Sequence, residues 1–437
     1  MNRVVVLGDE DVARRTCALL QSRGIDVTHL ANPDDVQIQH AMQHDVLGVA
    51  VLLHDDIKAL RYGLLIHHIR PSVPLIVTMF DTTARRQLES HVPHCSAISP
   101  ASLAVPSMVA AALDLDALAV RRRNSSDDAS WVQVSRDFPH RVSPFETPRN
   151  VRRQGIIGRL RGQFYPFDAG TKVLLTGAVG LILMILVDTV LGARHEQLTR
   201  ALYDAVRTTA TISAPELADS GPELVWASIA ALLVLTFTAL FAAGIVNYVL
   251  SGRHISLAGR RVLPRSGHVI VVGTGQVGLR FMAELRALGI ATLGIEKFED
   301  ARTLPIAKNA NLPVLIGDGS SRVVLEAAAT RRSLSVVAAA SEERDNIAVA
   351  VSALAQDPAT RIVLRAGSDE AITESQSLFR IGPVVDVNGI TAAFVTQTFV
   401  GEQPYLVTPL RSSFLAFDHT GQVLETYPAV TQRCQCD

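Results

Sequence analysis

The residues whose types and spacing most clearly point to chemistry are Gly273-Thr274-Gly275-Gln276-Val277-Gly278, which follow the apolar run Val269-Ile270-Val271-Val272 and open a helix-compatible stretch. At such a strand-to-helix turn the first glycine permits the tight turn. The second lets backbone approach a phosphate, and the third lets helix and strand pack closely. Glu296 ends the next apolar run, 23 residues after Gly273. A carboxylate there suits ribose hydroxyls and disfavours a 2′-phosphate, although the neighbouring Lys297 leaves room for a phosphorylated ribose. Gly273, Gly275, Gln276, Val277, Gly278, Glu296 and Lys297 are therefore candidate nucleotide-binding residues. The pattern reads adenosine and ribose and leaves NAD, NADH, ATP and ADP open as cofactors.

The same unit occurs twice. Shifting Arg3–Leu30 by 265 positions lays it on His268–Ile295 without a gap, so that Val4-Val5-Val6-Leu7-Gly8 falls on Val269-Ile270-Val271-Val272-Gly273. In the first copy Gly275 becomes Glu10, Gly278 becomes Ala13 and Glu296 becomes Ala31, with Asp9 and Asp11 adding charge. Three carboxylates at a helix N-terminus satisfy the dipole themselves and repel a phosphate. The first copy is expected to be empty and to serve packing and assembly. His54, His67 and His68 read as surface and loop histidines rather than metal ligands, and no metal site is expected.

Short apolar runs alternating with helix-compatible segments predict a doubly wound α/β domain over residues 1–120 and a nucleotide-binding Rossmann domain over 266–400. Between them, residues 121–165 are rich in arginine, serine and proline and read as a polar linker, and 401–437 read as a C-terminal tail. The chain of 437 residues carries 41 basic and 42 acidic residues, so no global field points to nucleic acid. Its cysteines, Cys17, Cys95, Cys434 and Cys436, have no clear metal or disulfide spacing, and the last two read as part of an unstructured end.

Residues 166–255 contain two apolar stretches, Thr171–Leu191 and Leu224–Leu250, each near or above the roughly 20 residues that span a bilayer. Arginines crowd the outer flanks of both, from Arg149 to Arg161 and from Arg253 to Arg265, whereas the loop between them holds three arginines against five acids. The positive-inside rule then puts both flanking domains in the cytoplasm and the loop outside, in a multi-pass protein of the plasma membrane with the lipid bilayer as a partner. Within that loop Leu198, Ala201, Leu202, Ala205 and Val206 recur at helical spacing, and a non-helical stretch follows from Thr211 to Pro222. A short helix followed by an extended segment between two spans has the layout of a re-entrant pore helix and pore loop.

On these features the chain resembles the two-span potassium channels with cytoplasmic RCK or Trk-type nucleotide-binding domains. Gly317-Asp318-Gly319-Ser320 and Arg365 stand where that family surrounds its nucleotide, so the resemblance adds Asp318 and Arg365 to the candidate site. It also implies a homotetramer, cations as the transported species, and no enzymatic activity. Gly244, within the second span, is the candidate gating hinge or a point of close helix packing. The filter departs from the family pattern: Thr211-Ile212-Ser213-Ala214-Pro215-Glu216 lacks both glycines and the tyrosine of the potassium filter, and Pro215 fixes φ near −65°. Thr211, Ile212, Ser213, Ala214 and Glu216 are the candidate pore residues, with Ser213 and Glu216 forming a hydroxyl and carboxylate ring that favours cations. Channels of the Castor and Pollux type are similar in pairing such domains with an unorthodox filter. Two other classes compete. A dehydrogenase fits poorly, because the chain has no separate substrate domain. A non-conducting, membrane-anchored nucleotide sensor is the alternative.

Overall fold

Runs of β-branched residues ended by glycine become buried parallel strands in both halves of the chain. The structure is a computed structural model and describes residues 3–124, 129–146, 169–194, 197–210, 221–250, 264, 266–367 and 381–429. Two compact units result, one made of Met1–Gly155 with Pro264–Asp437 and the other of Ile156–Leu263.

In the first unit, the N-terminal domain runs β1 (Arg3–Leu7), α1 (Asp11–Ser22), β2 (Asp26–Leu30), α2 (Asp35–Ala41), β3 (Gly48–Val51), α3 (Asp56–Ile69), β4 (Leu75–Thr78), α4 (Thr82–His91), β5 (Cys95–Ile98) and α5 (Pro100–Ala112). Its strands form a parallel five-stranded sheet in the order β2-β1-β3-β4-β5. Three further strands, β6 (Ala117–Asn124), β7 (Ala129–Ser135) and β8 (Val142–Pro144), form a separate antiparallel sheet. The expected polar linker over 121–165 is thus corrected in its first part. Its arginines sit on strands, and Arg121 lies 4.2 Å from the centre of the Tyr405 ring, where the aromatic face accepts the cation.

The second unit contains three described helices, α6 (Ala169–Gly192), α7 (Leu198–Thr209) and α8 (Gly221–Leu250). Lys172–Gly192 and Val225–Val246 are long and apolar enough to cross a membrane. They pack through small residues that bring backbones together. A Cβ on Gly177 would lie 2.5 Å from the Phe241 nitrogen, and one on Gly244 would lie 2.5 Å from the Leu174 Cα. Gly244 is therefore a helix contact within an uninterrupted α8. The candidate pore residues Thr211, Ile212, Ser213, Ala214 and Glu216 lie outside the described residues.

The second domain of the first unit follows as β9 (His268–Val272), α9 (Gln276–Ala287), β10 (Ala291–Glu296), α10 (Leu304–Asn309), β11 (Val314–Ile316), α11 (Arg322–Ala327), β12 (Ser335–Ala338), α12 (Glu343–Gln356), β13 (Ile362–Ala366), β14 (Val384–Asp386) and α13 (Val387–Val400). Its sheet has the order β11-β10-β9-β12-β13-β14, the doubly wound arrangement of dinucleotide-binding domains. The chain ends its described part on β15 (Leu406–Leu410), β16 (Ser413–Phe417) and β17 (Val423–Pro428), an antiparallel sheet where a tail was expected. Leu406, Leu415 and Phe417 share a small core with Ala119 and Val134 of the β6–β8 sheet.

The duplication extends further than its first 28 residues, but with a break. β3 and β12 occupy the same place beside the first strand of their sheets, and from there Gly48 matches Ser335, Asp56 matches Glu343 and Leu75 matches Ile362, a shift of 287 rather than 265. α2 falls on α11 under the same shift, so the first copy lacks a counterpart of α10, β11 and the Asp318 turn.

The two copies dock by exchanging helices: α5 packs on α9, α13 packs on α1, and α5 meets α13. Two arginines latch this arrangement at equivalent positions. Arg15, on α1, donates to Asp386 Oδ2 at 2.5 Å and to the Gly367 carbonyl at 3.2 Å. Arg280, on α9, donates to the Phe80 carbonyl at 2.7 Å and to Ser102. The Arg15 side chain is 6% exposed, and Asp386 also caps α13 through the Gly389 N–H. Asp386→Ala would leave a buried guanidinium short of a partner and α13 uncapped. We expect it to lower unfolding stability by roughly 3 kcal/mol, whereas Ser102→Ala on the equivalent, more exposed contact should lose no more than about 1 kcal/mol. Urea unfolding of the purified protein followed by fluorescence checks the contrast.

Candidate functional site

The glycine turn between β9 and α9 uses its three glycines for different reasons. Gly273 has φ +90° and a Cβ there would sit 2.7 Å from the Ala340 nitrogen. At Gly278 a Cβ would collide with the Gly273 carbonyl oxygen, so this residue closes the turn against the helix. Gly275, the N-cap of α9, is different: a Cβ added to it would meet nothing within 4 Å. No contact inside the protein calls for glycine there. In the first copy Ala13 stands at the Gly278 position and Glu10 at the Gly275 position.

Glu296 is 9% exposed at the end of β10. Its Oε2 accepts the backbone N–H of Thr274 at 3.0 Å and the Thr274 hydroxyl at 2.8 Å, while Oε1 accepts the Lys297 N–H at 3.0 Å. The carboxylate is therefore tied to the glycine turn. On its other side, Gly317 and Asp318 follow β11. Asp318 Oδ1 accepts both the N–H (2.8 Å) and the hydroxyl (2.7 Å) of Ser320, and Lys297 Nζ stands 3.8 Å from Oδ2. The Ser320 hydrogen bonds and the Lys297 cation hold the Asp318 carboxyl below the ordinary carboxylate range.

Arg365 ends β13. Burial pushes its guanidinium down from the usual arginine value, opposed by the charge of Glu343. It donates to the carbonyl of Ala340 at 3.3 Å, and Asn346 stitches the same loop by accepting the Ala340 N–H and donating to the Ala340 and Arg365 carbonyls. Asn346 is buried with these bonds made, so it fixes the loop after β12 against the end of β13.

These elements surround one cleft of about 830 Å³, within the range of small-molecule sites. Gly273, Gly275, Gln276 and Val277 line it on the turn side, Glu296, Lys297 and Asp318 on the β10–β11 side, and Arg365 on the β13 side. Gly278 lies beneath the turn. Sequence reasoning missed Phe298, Arg302 and the loop Ala339–Glu342, which also line the cleft. It also missed the first domain, whose His54, Asp55, Asp56, Ile57 and Phe80 form part of the wall. His54, expected as a loop histidine, stacks on Phe80 with ring centres 5.4 Å apart and pairs with Glu10. Glu10 also accepts the His54 N–H at 2.7 Å, so the first copy fills its own turn with a carboxylate. Among the described residues no group of histidine, cysteine and acidic side chains has the arrangement of a metal site.

Residues 269–382 match the TrkA-N domain family. An uncharacterized protein of Methanothermus fervidus is 23% identical over 221 residues, covering 48% of this chain and 34% of that protein, so this chain spans about a third of its relative's length. Among solved structures, the GsuK channel superposes with a TM-score of 0.52 at 12% identity, covering 97% of this chain and 75% of that one. The GsuK channel bound to NAD gives 0.50 at 13% identity, covering 91% and 64%. At such identities the likeness establishes the shared fold.

The three glycines are not equally constrained by the fold. Gly273→Ala should destabilise the protein by about 2 kcal/mol or more through a forced positive φ and a backbone clash, while Gly275→Ala should stay within about 1 kcal/mol of the parent. Thermal unfolding of both variants checks this; equal losses would remove the distinction.

Proposed function

We propose that this chain is a subunit of a nucleotide-regulated cation channel, with the cleft of the second domain as the regulatory site and the helices of the second unit as its membrane part. The observation that carries the reading is the cleft itself. A turn with an open glycine at a helix N-terminus, a buried carboxylate beside it and Asp318 next to that give the contacts that a pyrophosphate and an adenosine ribose need. Gly275, where the protein supplies no neighbour, suits close approach by phosphate oxygens. NAD, NADH, ATP and ADP share this half of the ligand.

In this reading α6 and α8 cross the plasma membrane with both termini cytoplasmic. α7 is the re-entrant pore helix, Thr211–Glu216 form the filter, and Gly244 couples the spans to gating. A hairpin alone encloses no pore, so the chain works as an oligomer, and a homotetramer matches the two-span layout. The nucleotide acts as an effector rather than as a substrate that turns over. It shifts gating by its differential affinity for the open and closed assemblies.

Two measurements test the reading. Glu296→Ala should weaken nucleotide binding to the purified protein at least tenfold, the cost of about 1.4 kcal/mol of lost ribose contacts; unchanged binding would refute the site. Proteoliposomes containing the protein should take up potassium or sodium in a nucleotide-dependent manner that Glu216→Ala alters. Nucleotide binding without flux, from folded tetramer, would instead make the hairpin an anchor and the chain a sensor for another transporter.

A further inference from the structure

The cleft is longer than a mononucleotide needs, and its two ends are chemically unlike. Glu296 and Arg365 end β10 and β13, which are separated in the sheet by β9 and β12. Three strand spacings put these ends about 14 Å apart. Adenosine held at Glu296 and Asp318, with its phosphates on the glycine turn, uses one side only. The remainder is walled by the β12–α12 loop and by the first domain's loop of His54 to Ile57 with Phe80.

The charges divide along the same line. Lys297 and Arg302, both of which line the cleft, follow β10 on the adenosine side. The far side carries Arg365 but also Asp55 and Asp56 from the first domain and Glu342 and Asp345 from the second. Asp55 caps α3 by accepting the Ile57 N–H at 2.9 Å, and Asp56 accepts the Phe80 and Asp81 N–H groups at 2.8 and 2.7 Å. These bonds fix both carboxylates in place. The loops that hold them are the two copies of one element, since Asp55 and Asp56 match Glu342 and Glu343 under the duplication. The His54–Phe80 stack lines the same cleft, as does Ile57, which is 82% exposed.

We infer that the first domain completes the nucleotide site of the second and selects, at its far end, an aromatic ring that is neutral or cationic over a terminal phosphate. This rests on the nucleotide reading of the cleft and names its ligand class: a nicotinamide dinucleotide, the oxidised form before the reduced one, in preference to a nucleoside triphosphate. A triphosphate's terminal charge would meet four carboxylates there. The cationic nicotinamide ring meets the same carboxylates as an attraction and has Phe80 and His54 for a planar neighbour. The first copy, which has lost its own phosphate turn, acts as the specificity wall of the other.

The test compares AMP, ADP, ATP, NAD and NADH by calorimetry on the full-length protein. NAD should bind more tightly than NADH and ATP. Asp55→Asn keeps the helix cap, since asparagine caps as well as aspartate; with Glu342→Gln it should lower the NAD-to-ATP affinity ratio about tenfold, the scale of removed charges several ångströms away. AMP affinity should not change. His54→Ala, at an exposed position, provides an independent variant and should weaken NAD but not AMP. An unchanged ratio in both variants, or a parent that prefers ATP, would overturn the inference while leaving the nucleotide site standing. AMP and NAD binding that ignores Glu296→Ala, or no binding of any of the five, would overturn the underlying reading as well.

Discussion

The first unit depends on the burial of two short helices that have no polar face. α5 and α13 are apolar nearly all round, and almost every residue of each is buried. A helix of this kind cannot lie on the surface of a single doubly wound sheet, where one face would meet water. α5 is instead covered by α9, by α13 and by strands β12, β13 and β14 of the other copy's sheet, and α13 by α1 and α5. Docking of the two copies is thus a condition for either to be stable, and the Arg15 and Arg280 latches set its register rather than its strength. A buried ion pair such as Arg15–Asp386 adds little net stability, because desolvation offsets most of the attraction.

Docking also accounts for a first copy that has kept its sheet while its glycine turn has changed. Relative to the second, it lacks the α10–β11 segment with the Asp318 turn, carries Glu10 and Ala13 where the second copy has glycine, and closes the gap with the Glu10–His54 pair. None of these changes removes α1 or α5, the helices that meet the other copy. Selection on packing alone preserves the helices and frees the β–α loops, and those loops are what the structure turns toward the second cleft.

The duplicated strands, the glycine turn and Glu296 were legible because their signals are local: period, glycine spacing and a carboxylate at a strand end. Asp318 and Arg365 came from family resemblance, and the structure brings both to the same cleft. The small sheets β6–β8 and β15–β17 were not legible, because Arg121, Arg122 and Arg123 suggest a solvated linker until Tyr405 lies against Arg121. The part played by His54, Asp55, Asp56 and Phe80 was also hidden. They lie some two hundred positions before the glycine turn, and only the exchange of helices brings them there. A composition shift marks a boundary between elements, but it does not distinguish a linker from a strand whose partner is remote.

The order of the chain ties this cleft to the unit of the two long apolar helices by connectivity alone. The first domain leads into α6, and α8 leads into the second domain, so each copy is joined to a different end of the helical hairpin. A ligand held only by the second domain would leave the relation between the copies to α5 and α13. One that touches the first domain's wall as well adds its binding energy to that docking. It then favours whichever arrangement of the two copies closes the cleft, by no more than its difference in affinity between arrangements. Since the two copies hold the two ends of the hairpin, an effector that bridges them constrains both ends at once. An effector confined to the adenosine half would constrain neither.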